Sequence, residues 1–215
     1  MRIIFARHGE SYANTKHEIS NRGLKHPLTQ TGRKQASALA CRLQPEKITH
    51  IYSSPILRAI ETTIIVANYL GVEYEIDDAL REYDVGYLEG RADEKAWQIW
   101  QELFDSWTKE RRWEQKVEGG ETFYQVKERF VPFIDRLIHN HQETDDKLAC
   151  IAHGGLYWMM LPLVLANIDT EFIKQRQGFA YTTTVTAELT SDGLVCTKWN
   201  DVATGGQSRG NIKAR

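Results

Sequence analysis

The sequence predicts an α/β fold, and three observations carry that expectation. Short apolar runs at 2–6, 48–53, 72–76 and 148–152 have the look of buried strands. Between them lie longer stretches, around 28–43, 56–70 and 123–138, whose apolar residues recur at helical spacing. Two of the strands end in histidine followed by glycine, His8-Gly9 and His153-Gly154. Strand ends are where α/β folds gather ligand chemistry. The alternation of strands and helices is consistent with right-handed crossovers.

The first strand, Arg2-Ile3-Ile4-Phe5-Ala6, breaks at Gly9 after Arg7 and His8 set side by side. Arginine offers a planar fork of donors that matches phosphate oxygens. Histidine attacks phosphorus through a neutral ring nitrogen and forms a covalent intermediate. Glycine leaves room for backbone and ligand to approach. Together these residues point to phosphoryl transfer with His8 as nucleophile. The segment 15–27, with Lys16, Arg22, Lys25 and His26, has no apolar period and reads as a loop.

A helix follows with Ala36, Leu39, Ala40 and Leu43 on one face, capped by Thr29 or Thr31. Ile48 to Ser53 is the second strand. Its Ser53-Ser54-Pro55 end opens a helix expected to bury Ile56, Leu57, Ile60, Ile64 and Leu70. Arg58 in the first turn sets a positive charge against the helix dipole, which a bound anion would offset. Val72 to Ile76 is the third strand, followed by Leu80-Arg81-Glu82 and a loop.

Trp97, Trp100, Phe104 and Trp107 then fall on one helical face, and Trp113 follows. This stretch reads as a helical cap, mostly packing, with one or two rings turned toward the organic part of a ligand. After Glu118-Gly119-Gly120-Glu121-Thr122 comes a long helix with Phe123, Val126, Phe130, Ile134, Leu137 and Ile138 on one face. Asp145-Asp146 closes a polar turn, Leu148 to Ala152 is a strand, and a helix runs from Leu156 to Leu165. Thr182 to Leu189 and Leu194 to Asn200, around Ser191-Asp192-Gly193, form a hairpin. Residues 1–204 read as one domain, and 205–215 as a polar, glycine-rich, disordered tail.

Composition narrows the function classes. Of 215 residues, 41% are hydrophobic and 26% charged, the balance of a soluble globular protein. A net charge of −2 argues against a general nucleic-acid or membrane-surface binder. The chain enters a strand at once, without a signal-peptide pattern, and no apolar run reaches the ~18 residues of a membrane span. Cys41, Cys150 and Cys196 lack metal-ligand spacing, and an odd count suggests reduced thiols in the cytoplasm. The histidines form no His-Glu-x-x-His constellation, so no metal site is expected.

Four stretches taken in order resemble the histidine phosphatase superfamily, its phosphoglycerate mutase-like branch. They are Arg7-His8-Gly9-Glu10-Ser11 with Asn14, the run Ser53 to Thr63, Leu80-x-Glu82 with Gly86 and Tyr87-Leu88-Glu89-Gly90, and His153-Gly154-Gly155. Gly119-Gly120-Glu121-Thr122 stands where the family usually has Gly-Gly-Glu-Ser. The resemblance implies a three-layer α/β/α sandwich with a mostly parallel central sheet and a helical cap at about 91–117. It implies a metal-independent phosphomonoesterase, without cofactor, acting on a small phosphorylated metabolite. In that scheme His8 forms the phosphohistidine, Glu82 is the general acid, and Arg7, Arg58 and His153 clamp the phosphoryl group. Asn14, Ser11 and the backbone at Gly154 add binding contacts.

Two other readings compete. A phosphoglycerate mutase is one, because Lys95 and Arg111-Arg112 loosely resemble basic residues of the mutase cap. The lysine's offset differs, however, and Gly119-Gly120 follows Arg112 too soon for the mutase insertion. A non-catalytic phospholigand-binding module is the other, and it predicts loss of a chemical residue. The tryptophan-rich helix can pack within a monomer or across a homodimer.

Overall fold

In β1 (Arg2–Arg7), Ile3 and Phe5 face one side of the strand and Ile4 and Ala6 the other, and all four are buried. A strand buried on both faces belongs at the centre of a layered fold. The computed structural model, which describes residues 1–175 and 178–204, places it there. β1 lies between β4 (Lys147–Ala152) and β5 (Thr184–Thr190). The sheet continues from β4 through β2 (His50–Ser53) to β3 (Tyr74–Ile76) at one edge. On the other side it runs through β6 (Gly193–Trp199) to β7 (Val202–Ala203), giving seven strands.

The pairs β3–β2, β2–β4 and β4–β1 are parallel, whereas β1–β5, β5–β6 and β6–β7 are antiparallel. Among the described strands β5 and β7 therefore run against the rest, and the sheet is mostly parallel in direction. The second strand starts at His50 rather than Ile48, and the third spans only Tyr74 to Ile76 with every residue exposed.

The helices form the two outer layers. On one side α2 (Gln30–Leu43) and α3 (Leu57–Leu70) cover Ile4, Ala6, Ile51, Ala149 and Ile151. On the other, α5 (Phe123–His141) and α6 (Gly154–Val164) cover Ile3, Phe5, Leu148, Cys150 and Ala152. Between β3 and α5 lies the cap helix α4 (Glu94–Thr108). Short helices α1 (Tyr12–Thr15) and α7 (Thr170–Lys174), and strand β7, fall in stretches read from sequence as loop or left without structure. The predicted tail at 205–215 lies outside the described residues.

Thr29 caps α2, its hydroxyl accepting from the Gly32 amide at 3.0 Å. That helix start is pressed against the end of β1. A Cβ on Gly9 would lie 2.5 Å from the Gly32 carbonyl oxygen, and one on Gly32 would lie 2.0 Å from that of Glu10. Only glycine at both positions lets the two backbones meet.

The buried face of α3 differs from the expected one. It consists of Arg58, Ala59, Thr62, Thr63, Val66 and Ala67, while Ile64 is exposed. Small side chains let α3 lie close to the sheet, and Thr62 uses its hydroxyl on the Gly9 amide at 3.1 Å. Helix α6 begins earlier than expected, at Gly154, with His153 as its N-cap.

Candidate active site

β1 and β4 are adjacent parallel strands with Arg7 opposite Ala152. His8 and His153 are each the next residue along, so the two strand ends deliver them together. Their ring centroids are 5.1 Å apart, and both residues are buried.

Arg58, entering from the first turn of α3, joins them. Its Nε donates to His8 Nε2 at 2.9 Å, Nη1 to the Ser20 carbonyl at 2.7 Å, and Nη2 to His153 Nδ1 at 3.2 Å. These donors fix both tautomers. With Nε2 accepting, His8 carries its proton on Nδ1, which donates to the Gly9 carbonyl at 2.7 Å. His153 carries its proton on Nε2 and donates to Ser54 Oγ at 2.7 Å. Burial, followed by the charges of Arg58 and Arg7, holds His8 well below the ordinary histidine range. Burial and Arg58 do the same for His153. Burial also lowers Arg58, to about 10, which leaves it charged at neutral pH.

Arg7 donates to the Phe179 carbonyl, and its guanidinium lies over the Tyr181 ring, 4.4 Å from the centroid. Its Nε is buried and has no partner among the described residues. A buried donor without an acceptor costs about 1–3 kcal/mol, a cost that an anionic ligand would remove.

Glu82 faces these cations from the loop before the cap. Its carboxylate accepts from the Tyr83 amide at 3.2 Å and from the Gly155 amide, at the start of α6, at 3.0 Å. Burial raises its pKa, against the opposing pull of Arg58 and the two amides. Gly155 is what allows this contact. A Cβ there would lie 2.7 Å from the Tyr83 ring and 2.9 Å from Glu82 Oε2, whereas one on Gly154 would meet Arg7 atoms only at 3.4 Å. Gly155→Ala is therefore expected to displace Glu82 and Tyr83 and to cost about 1–3 kcal/mol by overpacking. Gly154→Ala should cost clearly less, and urea denaturation of both variants measures the difference.

A network not legible from the sequence holds the Glu82 loop. Arg129 of α5 donates from Nη1 to the carbonyls of Ala79 and Arg81, at 2.8 and 2.9 Å. It forms a two-pronged ion pair with Glu121, both bonds at 3.1 Å. Glu121 also accepts from the Asp84 amide at 2.9 Å and from Arg81 at 2.5 Å. Glu121→Ala leaves the largely buried Arg129 guanidinium without its carboxylate, and a loss of about 3–5 kcal/mol is expected in urea denaturation. By contrast, Lys109→Ala removes an exposed pair with Asp105 and should stay within about 1 kcal/mol.

These groups surround a cavity of roughly 330 Å³, lined by Arg7, His8, Asn14, Arg58, Glu82 and Gly154 among others. His153 lies behind it, touching His8 and Arg58. Ser11 is not among the lining residues. It is fully buried, and its amide and hydroxyl both donate to Asn14 Oδ1, at 3.0 and 2.8 Å, leaving the Asn14 amide nitrogen as that side chain's remaining donor. Ser11 thus orients Asn14 rather than facing the cavity. The outer wall is aromatic, with Tyr83, Trp97, Trp100, Phe104, Trp158 and Phe179. Trp107, on the same helix as Trp100, is buried in the core instead.

An α/β chain whose central parallel strands end in paired histidines, joined by a buried arginine and faced by a glutamate, defines the class to which the comparisons assign it. The model of the histidine phosphatase superfamily, branch 1, matches residues 3–202, and the chain belongs to that family. It is 32% identical over 156 residues to phosphoglycerate mutase-like protein 4 of Arabidopsis thaliana, covering 72% of this chain and 66% of that protein. It is 36% identical over 121 residues to the Photorhabdus laumondii protein named "Probable phosphoglycerate mutase GpmB", covering 56% of this chain and 51% of that one. The chain thus spans about half to two thirds of the length of these relatives.

Among solved structures, the mycobacterial glucosyl-3-phosphoglycerate phosphatase superposes with a TM-score of 0.75 at 23% identity, covering 93% of this chain and 98% of that one. The alpha-ribazole phosphatase of Shigella flexneri gives 0.77 at 22% identity, covering 97% and 100%. These likenesses establish the fold. Among the described residues, no helix is long and apolar enough to cross a membrane.

Proposed function

We propose that this chain is a metal-independent phosphomonoesterase that hydrolyses a small phosphate ester through a phosphohistidine on His8. The observation that carries the reading is the state of His8: neutral, protonated on Nδ1, with Nε2 turned to Arg58 at the floor of a cavity that Glu82 faces. A phosphoryl group bound among Arg7, Arg58 and Asn14 takes over the guanidinium donors. His8 Nε2 then attacks phosphorus, the N–P bond forms, and the ester P–O bond breaks. The electron pair goes to the departing oxygen, which takes the proton of Glu82. In the second step water attacks phosphorus, Glu82 accepts its proton, and the N–P bond breaks to release orthophosphate. The transition state asks mainly for positioning and charge stabilisation. The buried guanidinium of Arg58 and the half-buried one of Arg7 provide both.

The names of the mutase-like relatives favour a second reading, in which the phosphoryl group passes to another hydroxyl. Both schemes share His8. They are separated by incubating the chain, with chelator present, with a phosphate-labelled aryl ester and trapping the enzyme in alkali, where phosphohistidine survives. Chelator-resistant release of orthophosphate with label on His8 supports the hydrolase. A labelled enzyme that waits for phosphoglycerate before turning over supports the mutase. No label under either condition sinks both. We assign the chain to the cytoplasm, a reading supported by free Cys41 and Cys150.

A further inference from the structure

Building on the hydrolase reading, we infer that the ester this chain takes carries a flat aromatic alcohol rather than a carboxylated one. The alcohol must depart on the Glu82 side, because Glu82 protonates its oxygen. The next residue is Tyr83, and from it a ladder of rings crosses the cavity wall. Tyr83 and Trp100 stack with centroids 6.3 Å apart and planes at 26°, and Trp100 stacks on Phe104 at 5.4 Å and 9°. Trp97 meets Trp100 edge-on at 5.5 Å. Trp158 of α6 and Phe179 line the same space from other elements.

Packing alone does not account for this wall. Trp97, Trp100, Phe104 and Trp158 are only half-buried, although they lie within a concavity. Trp107, from the same helix, is spent fully on the core. Half-buried rings on a concave wall are suited to receiving another ring, by offset stacking or edge-on contact.

The polar groups agree. Among the described residues, the cationic side chains lining the cavity are Arg7 and Arg58, and both serve the phosphoryl end. Glu18 lines the cavity as well, already paired with Lys25 and His26 outside it. A carboxylated alcohol would meet that carboxylate with no cation left to balance it.

The test separates ring recognition from leaving-group chemistry. Benzyl and 2-naphthylmethyl phosphates release alcohols far less acidic than phenols, so a preference for them over cyclohexylmethyl phosphate and 3-phosphoglycerate reports the ring itself. The expected kcat/KM advantage is about tenfold, the scale of one aromatic contact. It should be carried mostly by KM and lost in Trp100→Leu, but kept in Trp113→Leu, whose ring stacks on Phe123 outside the cavity. Calorimetry with non-hydrolysable 2-naphthylmethylphosphonate and 2-carboxyethylphosphonate reads the same preference without turnover. Equal or better binding of the carboxylated phosphonate overturns the inference, whether or not the chain hydrolyses esters. Tighter binding of the naphthyl compound with no hydrolysis of any ester upholds it and removes the hydrolase reading instead.

Discussion

Replacing His8 with alanine is expected to abolish phosphoenzyme formation and to lower turnover by about 10⁴-fold or more, as loss of a nucleophile does elsewhere. The geometry gives no substitute. The other histidine, His153, has its Nε2 proton on Ser54 and its Nδ1 facing Arg58, so neither ring nitrogen is presented to a ligand as a free lone pair. The variant also leaves Arg58 Nε without its acceptor. Orthophosphate binding by His8→Ala should therefore persist, because the guanidiniums remain and one donor is freed. Rapid-quench trapping of labelled enzyme, beside calorimetric phosphate binding, checks both halves. A variant that binds phosphate and still turns over at the wild-type rate would show that His8 is not the nucleophile.

Glu82→Gln has the next largest effect, and its signature depends on the substrate. A general acid contributes about 10²–10⁴-fold when the leaving group needs a proton. Alkyl phosphates should lose activity in that range, whereas 4-nitrophenyl phosphate, whose phenolate departs unaided, should lose about tenfold or less in the phosphorylation step. The pH profile gives a second reading. Burial raises the pKa of Glu82, and the acid must be protonated to act, so kcat/KM for alkyl esters falls as pH rises through that raised value. In Glu82→Gln this alkaline limb disappears. The acid limb belongs to His8, whose pKa burial and the two arginines depress, and it lies below the ordinary histidine value of about 6.5. Stopped-flow bursts across pH with both ester types decide the matter. Equal losses on the two esters would assign Glu82 to charge placement rather than proton transfer.

Much of the architecture was legible because it is written locally. β1 and β4 are continuous apolar runs, and each ends in a histidine followed by glycine, so the strands and the residues at their tips could be read together. The helices α2 and α5 announced themselves through apolar periodicity, and of the two threonines read as possible caps of α2 it is Thr29 that serves. What escaped was either small or distant. Counting large aliphatic residues put Ile64 inside, but α3 buries alanine and threonine because a close helix–sheet approach needs little side-chain volume. In the sequence Arg129 is one more polar residue on an amphipathic helix. Its acceptors are carbonyls of the Glu82 loop, and hydrogen bonds to backbone leave no mark on the sequence of their acceptors. Ser11 was read as a ligand contact on its place in the motif. It bonds Asn14 instead, because a buried hydroxyl three residues before an amide finds that partner first. The aromatic residues of α4 showed a face but not its division. Only the packed structure separates Trp107, within the core, from Trp100, at the cavity.

The pairing of β1 with β4 has a consequence for how the chain is made. Arg7 is opposite Ala152, and the two histidines just beyond them are 145 residues apart in the sequence. A nascent chain leaving the ribosome holds His8 early but has no second histidine beside it until β4 emerges and inserts between β1 and β2. A slip of two residues in that insertion would carry His153 about 6.6 Å along the strand and out of reach of Arg58. On the proposed chemistry, the paired histidines are thus assembled by insertion of β4 into the middle of the sheet, and a chain that lacks β4 or holds it out of register is expected to be inactive.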